Sequence, residues 1–330
     1  MKTVIYMGKE KILHILDILK KTDEEHALTI GEIISKLRLY GIDAERKSVS
    51  RDIQALIDSG NTILSAGKRE GYYLADREFD DYELAMIYAA VARAKFITEK
   101  DTRNILKKLR ILAAPGMEKL LSETVAVGAV KTDNVAAKYA IDKAIRAIRD
   151  NRKLRFQYIE YDAEAKKQLR RGGHVYVVSP FYLAWAKDEL FLIANPDSHA
   201  KLTHFKIAML TNVEISDEPR KNRNEIEDLK RNFDLRKYMQ ESVNMYSGDA
   251  IAITLRCHIS LLSELINEFG RGVWSGKADG EWFTVTIRVA DNDGLYRWVM
   301  QFGGKIEVIS PDQAREAVKG SIADALELYG

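Results

Sequence analysis

Six histidines occur in the chain: His14, His26, His174, His199, His204 and His258. No two stand at the i, i+4 spacing by which one helix face presents two ligands to a metal. His199 and His204 lie five apart across a turn, a weak pairing. Cys257 is the single cysteine, set among alternating apolar neighbours, the pattern of a packed core thiol rather than a nucleophile. It leaves no partner for an intrachain disulfide, which fits a reducing compartment. No GxGxxG, P-loop or GxSxG stretch is present, and Gly303-Gly304 follows a helical pattern rather than a strand. The chain therefore reads as a non-enzyme with no metal site and no cofactor.

The chemistry that is present is binding chemistry. Between residues 36 and 51 there are five basic residues, Lys36, Arg38, Arg46, Lys47 and Arg51, against two acidic ones, Asp43 and Glu45. After an apolar stripe of Val49, Ile53, Leu56 and Ile57 is assigned to a helix, Arg46, Lys47, Ser48, Ser50, Arg51 and Gln54 are left over. These side chains can donate to phosphates or read base edges, arginine favouring guanine and glutamine adenine. Arg51 is expected to reach a phosphate, with Asp52 orienting it or capping a neighbour; a surface ion pair of little consequence is the other reading. A second constellation lies further on. Tyr158, Tyr161, Tyr176, Tyr182, Trp185 and Phe191 are interleaved with Arg152, Lys153, Arg155, Lys166, Lys167, Arg170 and Arg171. Aromatics that stack bases beside cations that meet phosphates make a single-stranded nucleic acid or nucleotide site. Aromatics that fill a sheet core beside a solvated basic loop fit the same residues equally well.

The elements that position the first group are three helices and a hairpin. Ile12, Ile15, Leu16 and Leu19 stripe a helix over roughly 8 to 21. Thr29-Ile30-Gly31-Glu32 fits a capping box for a second helix that carries Ile33, Ile34 and Leu37 inward and stops near Gly41. Asp43 suits the N-cap of a third, over about 44 to 58, with Gly60 as its stop. Thr62-Ile63-Leu64 and Tyr72-Tyr73-Leu74 flank a glycine turn and read as a hairpin, with Lys68 and Arg69 at its tip. Three helices followed by a ribbon are the winged form of the helix-turn-helix, whose third helix enters the major groove of duplex DNA. A charged face on a small protein-binding domain is the alternative.

Residues 80 to 150 are helical, with a last helix over about 134 to 150 carrying Ala137, Ile141, Ile145 and Ile148; the block suits a spacer or dimerisation element. From residue 153 the period becomes two. Five or so short strands, the last over Phe205 to Ile215, suggest a small antiparallel barrel or strongly bent sheet. Asp217 to Lys230 is highly charged and reads as a linker. The last eighty residues alternate strand and helix in an order resembling a ferredoxin-like α+β module.

At 330 residues the chain has room for two or three domains. Its 46% hydrophobic and 30% charged residues exclude a collagenous or disordered chain. Lysine plus arginine number 51 against 49 acidic residues, so the net charge of +2 excludes a grossly basic coat protein but not a basic patch. The N-terminus is charged at Lys9, Glu10 and Lys11 and does not read as a signal peptide, and no apolar run is long enough for a membrane span. A cytoplasmic protein is expected.

These pieces resemble the WYL-domain transcriptional regulators. Arg46-Lys47-Ser48-Val49-Ser50-Arg51-Asp52-Ile53-Gln54-Ala55-Leu56, with Gly60 and Tyr72-Tyr73-Leu74, is similar to the DeoR-type recognition helix and wing. Phe156-x-Tyr158, Val178 to Leu183, Leu190 to Ala194 and His204 to Ile207 follow the spacing of the central WYL module. Phe302 to Val308, with Pro311, resembles the C-terminal extension that usually follows it. The resemblance implies a winged helix-turn-helix over 1–78, a helical spacer over 79–133, a small Sm-like β-barrel over 134–218 and a C-terminal extension over 219–330. It also implies a homodimer on a double-stranded operator, acting as a repressor or activator under a nucleic-acid-derived or other anionic effector. Matched residue by residue, Tyr158, Ser179, His204 and Lys206 fall in the effector pocket, with Phe191 as its wall. The chain departs from the family at Leu190-Phe191-Leu192, where tryptophan and tyrosine are replaced. It departs again at Thr203 and Met209, where the family tends to place arginine. With Lys206 as the one remaining cation there, that pocket should hold a polyphosphate less tightly, because arginine's bidentate fork is lost. An adaptor that binds single strands or a protein, and no duplex, is the alternative function.

Overall fold

An apolar repeat at helical spacing forms α1 (Lys2–Leu19), whose Ile15 and Leu19 are fully buried. The second helix, α2 (Ile30–Leu39), starts at the capping box: the Glu32 amide donates to Thr29 Oγ1 at 3.3 Å, and the Thr29 amide donates to the Glu32 carboxylate at 2.8 Å. That second bond holds the Glu32 carboxyl below its ordinary range. The third, α3 (Arg46–Asp58), begins later than the sequence suggests, and Asp43 does not cap it. Ile42 and Ala44 pack into the core and turn Asp43 outward, where it pairs with Arg38 at 3.4 Å. Glu45 takes the N-cap position without a side-chain bond. The buried stripe is Val49, Ile53 and Leu56.

Strands β1 (Ile63–Ser65) and β2 (Tyr72–Leu74) pair antiparallel, Ile63 opposite Leu74, and both of these residues join the three-helix core. The ribbon is tied to the segment before α2 by two backbone bonds between Leu28 and Tyr72, 2.9 and 2.8 Å long. Gly71 makes this approach possible: at φ +100° it adopts a conformation that favours glycine, and a Cβ there would lie 2.3 Å from the Leu28 carbonyl carbon. Helices α4 (Asp81–Arg93), α5 (Glu99–Arg110) and α6 (Met117–Thr124) follow around Leu84, Tyr88, Leu106 and Leu121. The structure is a computed structural model that describes residues 2–67, 71–113, 117–124, 128–230, 233–242, 245–246, 248–274 and 278–329. Its two units are residues 1–131, just traced, and 132–330.

The second unit opens with α7 (Ala137–Arg149), packed on a bent sheet. Its buried face is Ala137, Ala140, Ala144 and Ala147, each at most 1% exposed, whereas Ile145 is 52% exposed. Of the stripe expected from the sequence, Ala137 is buried and Ile141 packs partly buried against the same cluster, whereas Ile145 faces out and Ala140, Ala144 and Ala147 complete the buried face. Alanines at 3–4–3 spacing let the helix approach Leu154, Phe156 and Val178 closely, which a row of isoleucines would prevent. The sheet contains β3 (Arg152–Tyr161), β4 (Lys167–Leu169), β5 (Tyr176–Ala186), β6 (Glu189–Pro196), β7 (Thr203–Lys206) and β8 (Leu210–Pro219). A single turn, α8 (Arg170–Gly173), joins β4 to β5. The order is β4-β3-β5-β6-β7, with β8 also on β3, and all pairs are antiparallel.

No closed barrel forms among the described residues, because β7 and β8 do not pair with each other. What reads as one strand over 205 to 215 is broken by a 3₁₀ turn at Ile207–Met209. The broken stretch is held by Asn134, whose Nδ2 donates to the carbonyls of Ala208 (2.9 Å) and Leu210 (2.8 Å) in place of a ladder.

The charged stretch after β8 is not a free linker. Ile226 and Leu229 are buried against Phe181, Phe191 and Ile193 of the sheet, and α9 (Leu235–Glu241) continues over them. The charges of that stretch face solvent while these two apolar residues anchor it. The last module is β9 (Ala250–His258), α10 (Leu262–Phe269), β10 (Trp282–Ala290), α11 (Asp293–Met300), β11 (Ile306–Ser310) and α12 (Asp312–Leu328). Its sheet has three strands, ordered β10-β9-β11, rather than the four of a ferredoxin-like sheet, because among the described residues only one strand, β10, lies between α10 and α11. Cys257 lies fully buried there, and burial pushes its thiol up to about 12. No helix among the described residues is long and apolar enough to cross a membrane.

Candidate nucleic-acid interface

Helix α3 presents two faces of opposite character. Val49, Ile53 and Leu56 point into the core, and Arg46, Lys47, Ser50, Arg51 and Gln54 are exposed. None of these three cations pairs with a carboxylate among the described residues. The Arg51 guanidinium makes one long bond, Nε to the Lys47 carbonyl at 3.4 Å, and Gln54 Nε2 donates to Asp58 at 2.9 Å. Donors with weak internal partners on a rigid helix are free to exchange them for phosphate or base acceptors.

Two residues in this stretch are arranged otherwise than the sequence suggests. Asp52 does not orient Arg51. It pairs with Lys11 of α1 at 2.9 Å, and the same ammonium donates to the Ser48 hydroxyl. Ser48 and Asp52, one turn apart, thus face α1, and Ser48 is half-buried. Lys11 was not singled out in the sequence, since nothing local announces a contact across 37 residues. Its effect is to fix α3 on α1 while drawing Asp52 away from Arg51. Lys68 and Arg69, expected at the ribbon tip, lie outside the described residues.

The five residues carried over as an effector pocket are not brought together. On paired strands, directly opposite residues share a face, and Phe191 is opposite Lys206 while Ile193 is opposite His204. Phe191, Ile193 and His204 on that face are covered by Ile226, Leu229, Tyr238 and Met245, while Lys206 stays 45% exposed at its margin. His204 Nδ1 donates to the Met245 carbonyl at 2.9 Å, so Nε2 is left to accept from the Tyr238 hydroxyl at 2.8 Å. Burial lowers the His204 pKa and raises those of Tyr238 and Asp228. The Lys206 ammonium stands 3.8 Å from Glu189, and Phe191 is buried in the same cluster.

Tyr158 is on the other face, with Tyr176 and Phe205 edge-on at 6.3 Å each, and burial raises the pKa of its hydroxyl. Ser179 is fully buried and accepts from the Lys221 amide at 2.9 Å. The Lys221 ammonium reaches buried Asn195 at 2.8 Å, so Ser179 and Asn195, directly opposite each other, anchor the outgoing chain. The basic residues nearby are largely committed: Lys153 to Asp197 and Glu218, and Lys167 to Asp133. Among the described residues, no group of three or more histidine, cysteine or acidic side chains is placed to hold a metal.

Comparison with known proteins adds two module assignments. The profile of the WYL domain matches residues 140–215, and that of the WCX domain matches residues 249–326. Among solved structures, proteasome accessory factor B/C (PafBC) of Arthrobacter aurescens is similar over 97% of this chain at 17% identity, with a TM-score of 0.30. The chain spans 49% of that protein, about half its length. A structure described as a CRISPR Cas-related protein is similar over 98% of this chain and 84% of its own, at 11% identity and a TM-score of 0.39. A search of curated proteins found no match. By the two profile matches, the chain carries a WYL domain followed by a WCX domain.

Proposed function

We propose that this protein is a DNA-binding transcriptional regulator, whose α3 reads duplex DNA and whose WYL domain senses a nucleic-acid-derived or other anionic effector. The observation that carries the first half is the exposed face of α3. Arg46, Lys47, Ser50, Arg51 and Gln54 are presented together on a helix that Lys11 holds to α1, followed by a ribbon as in winged helix-turn-helix units. The WYL match supports the second half. The reading includes no chemical step. A homodimer with half-sites one helical turn apart, or a multiple, is the assembly it favours. An effector acts in it by binding one operator-competent geometry better than another, since a ligand shifts an equilibrium only by its differential affinity.

The test is an electrophoretic shift with the duplex upstream of the protein's own gene, comparing the unmodified chain with Lys47→Ala and Arg51→Ala. A specific complex weakened by both substitutions is expected. If no specific complex forms at moderate salt, or if both variants bind as the unmodified chain does, the reading fails.

A further inference from the structure

The WYL sheet has an opening at one end. It lies at the end of the sheet where the turn Arg170–Gly173, the start of β5, the end of β6 and the start of β7 converge, and it encloses about 340 Å³. We propose that this opening is an anion-binding site for a nucleoside phosphate, with Arg171, His174 and His199 meeting the phosphate and Tyr176 and Phe205 forming the floor beneath the base. The proposal deepens the sensing half of the function above and rests on it.

Size comes first. A volume of about 340 Å³ lies at the lower end of the range for small-molecule sites, room for one nucleotide rather than for a stretch of strand. The floor is aromatic: Tyr176 stacks on Phe156 at 5.6 Å and meets Phe205 edge-on at 5.8 Å, so the rings are fixed from below. Electrostatics favours an anion. The acid at the rim, Asp197, is already bound by Lys153 at 2.8 Å and lies 3.9 Å from Lys221. Arg170 stands 3.7 Å from Glu160, but the Arg171 guanidinium pairs with no carboxylate among the described residues. His174 is exposed and touches Tyr176 edge-on at 4.8 Å, and His199 is hydrogen-bonded to Ser198 at 2.9 Å.

Backbone geometry points the same way. Arg171 has φ 52° and ψ 45°, the left-handed region that non-glycine residues seldom adopt, and Gly172 and Gly173 continue at φ 63° and 87°. The turn is pinned there. Gln157 Nε2 donates to the Gly173 carbonyl at 2.7 Å, and Asn212 in turn donates to Gln157 at 2.6 Å. An arginine kept in an unfavourable conformation by its surroundings, at the rim of an open cleft, is the kind of outlier from which a binding role is inferred. The site also differs from the face bearing Phe191, His204 and Lys206, where the 226–245 segment covers Phe191 and His204.

Isothermal titration calorimetry on the full chain tests this with four probes: adenosine 5′-monophosphate, adenosine, and a five-nucleotide single strand with or without a 5′-phosphate. Adenosine 5′-monophosphate is expected to bind, and adenosine at least tenfold more weakly. Arg171→Ala and His199→Ala should each weaken binding of the monophosphate at least tenfold. Arg171→Gly should do the same while relieving the backbone, so a folding defect cannot account for the loss. Equal binding of the 5′-phosphorylated strand and the monophosphate, with competition between them, would name a strand end as a source; monophosphate alone would name the free nucleotide. The proposal is overturned if neither phosphorylated probe binds below 1 mM, or if Lys206→Ala abolishes binding that the Arg171 variants leave intact. Loss of duplex binding alone, with Arg171-dependent nucleotide binding retained, would overturn the operator reading and support this one.

Discussion

Removing Arg51 offers the most quantitative test of the duplex interface. The α3 face exposes three cations, Arg46, Lys47 and Arg51, and Asp52 is withheld from all of them by its pairing with Lys11. If each meets one phosphate, log affinity falls with log salt at a slope of about −0.9 per contact, or about −2.7 per protomer. Raising salt from 50 to 200 mM then costs about 40-fold in affinity per protomer by the same relation. Arg51→Ala removes one contact, bringing the slope to about −1.8 and the loss to about 12-fold. If Arg51 instead reads a guanine edge, only two phosphate contacts remain, so the slope is about −1.8 both with and without Arg51, and its removal costs one base position about 1–3 kcal/mol of discrimination. Fluorescence anisotropy with a labelled duplex over that salt range, followed by single-base variants of the site, separates the two cases. A slope, an affinity and a base preference all unchanged in Arg51→Ala would refute the assignment of this face to DNA.

Three further predictions follow from the packing. Ala144→Leu should destabilise the protein by about 1–3 kcal/mol through overpacking against the sheet, whereas Ile145→Ala, at a half-exposed site, should cost about 1 kcal/mol or less. Thermal unfolding of both variants checks this, and a larger loss for Ile145→Ala would reverse the orientation of α7. Lys11→Met leaves Asp52 in a site where the pair's side chains are only 13% and 22% exposed, and should cost about 1–3 kcal/mol. Adding Asp52→Leu should recover most of it in a double-mutant cycle, and additive losses would show that the pair is not coupled. His204 has its pKa lowered by burial, so the unfolded chain takes up a proton first as pH drops below about 6.5. Stability present above that pH should therefore decline toward the folded-state pKa, at up to about 1.4 kcal/mol per pH unit from this group. His204→Gln should flatten denaturant-measured stability as pH drops below about 6.5; an unaltered profile would exclude His204 as a contributor.

The helix and strand content was legible wherever the evidence was local. The Thr29–Glu32 capping box is a contact within four residues, and the α11 and α12 positions follow from periodicity and from Pro311. The hairpin joined by Lys187-Asp188 likewise has both turn residues at positive φ, 49° and 67°, as a two-residue connection requires. Misreadings arose where two periodicities competed or a distant residue intervened. On α7 the larger isoleucines carry the stronger hydrophobic signal, but the tight helix–sheet distance selects the alanines. Over 205 to 215 the alternation lapses at Ile207-Ala208-Met209-Leu210, and Asn134 decides that the chain turns there.

The exposed basic face of α3 follows from sequence alone. Once an amphipathic helix buries its apolar stripe, the remaining side chains must face water, wherever the rest of the protein sits. The effector pocket could not be derived in that way. Tyr158, Ser179, Phe191, His204 and Lys206 come from different strands, and bending, register and the returning 226–245 segment assign them to two faces and an anchor. Only the folded chain brings Arg171, His174, His199, Tyr176 and Phe205 around one opening, because their proximity depends on how a turn and three strand ends meet and not on any spacing along the chain.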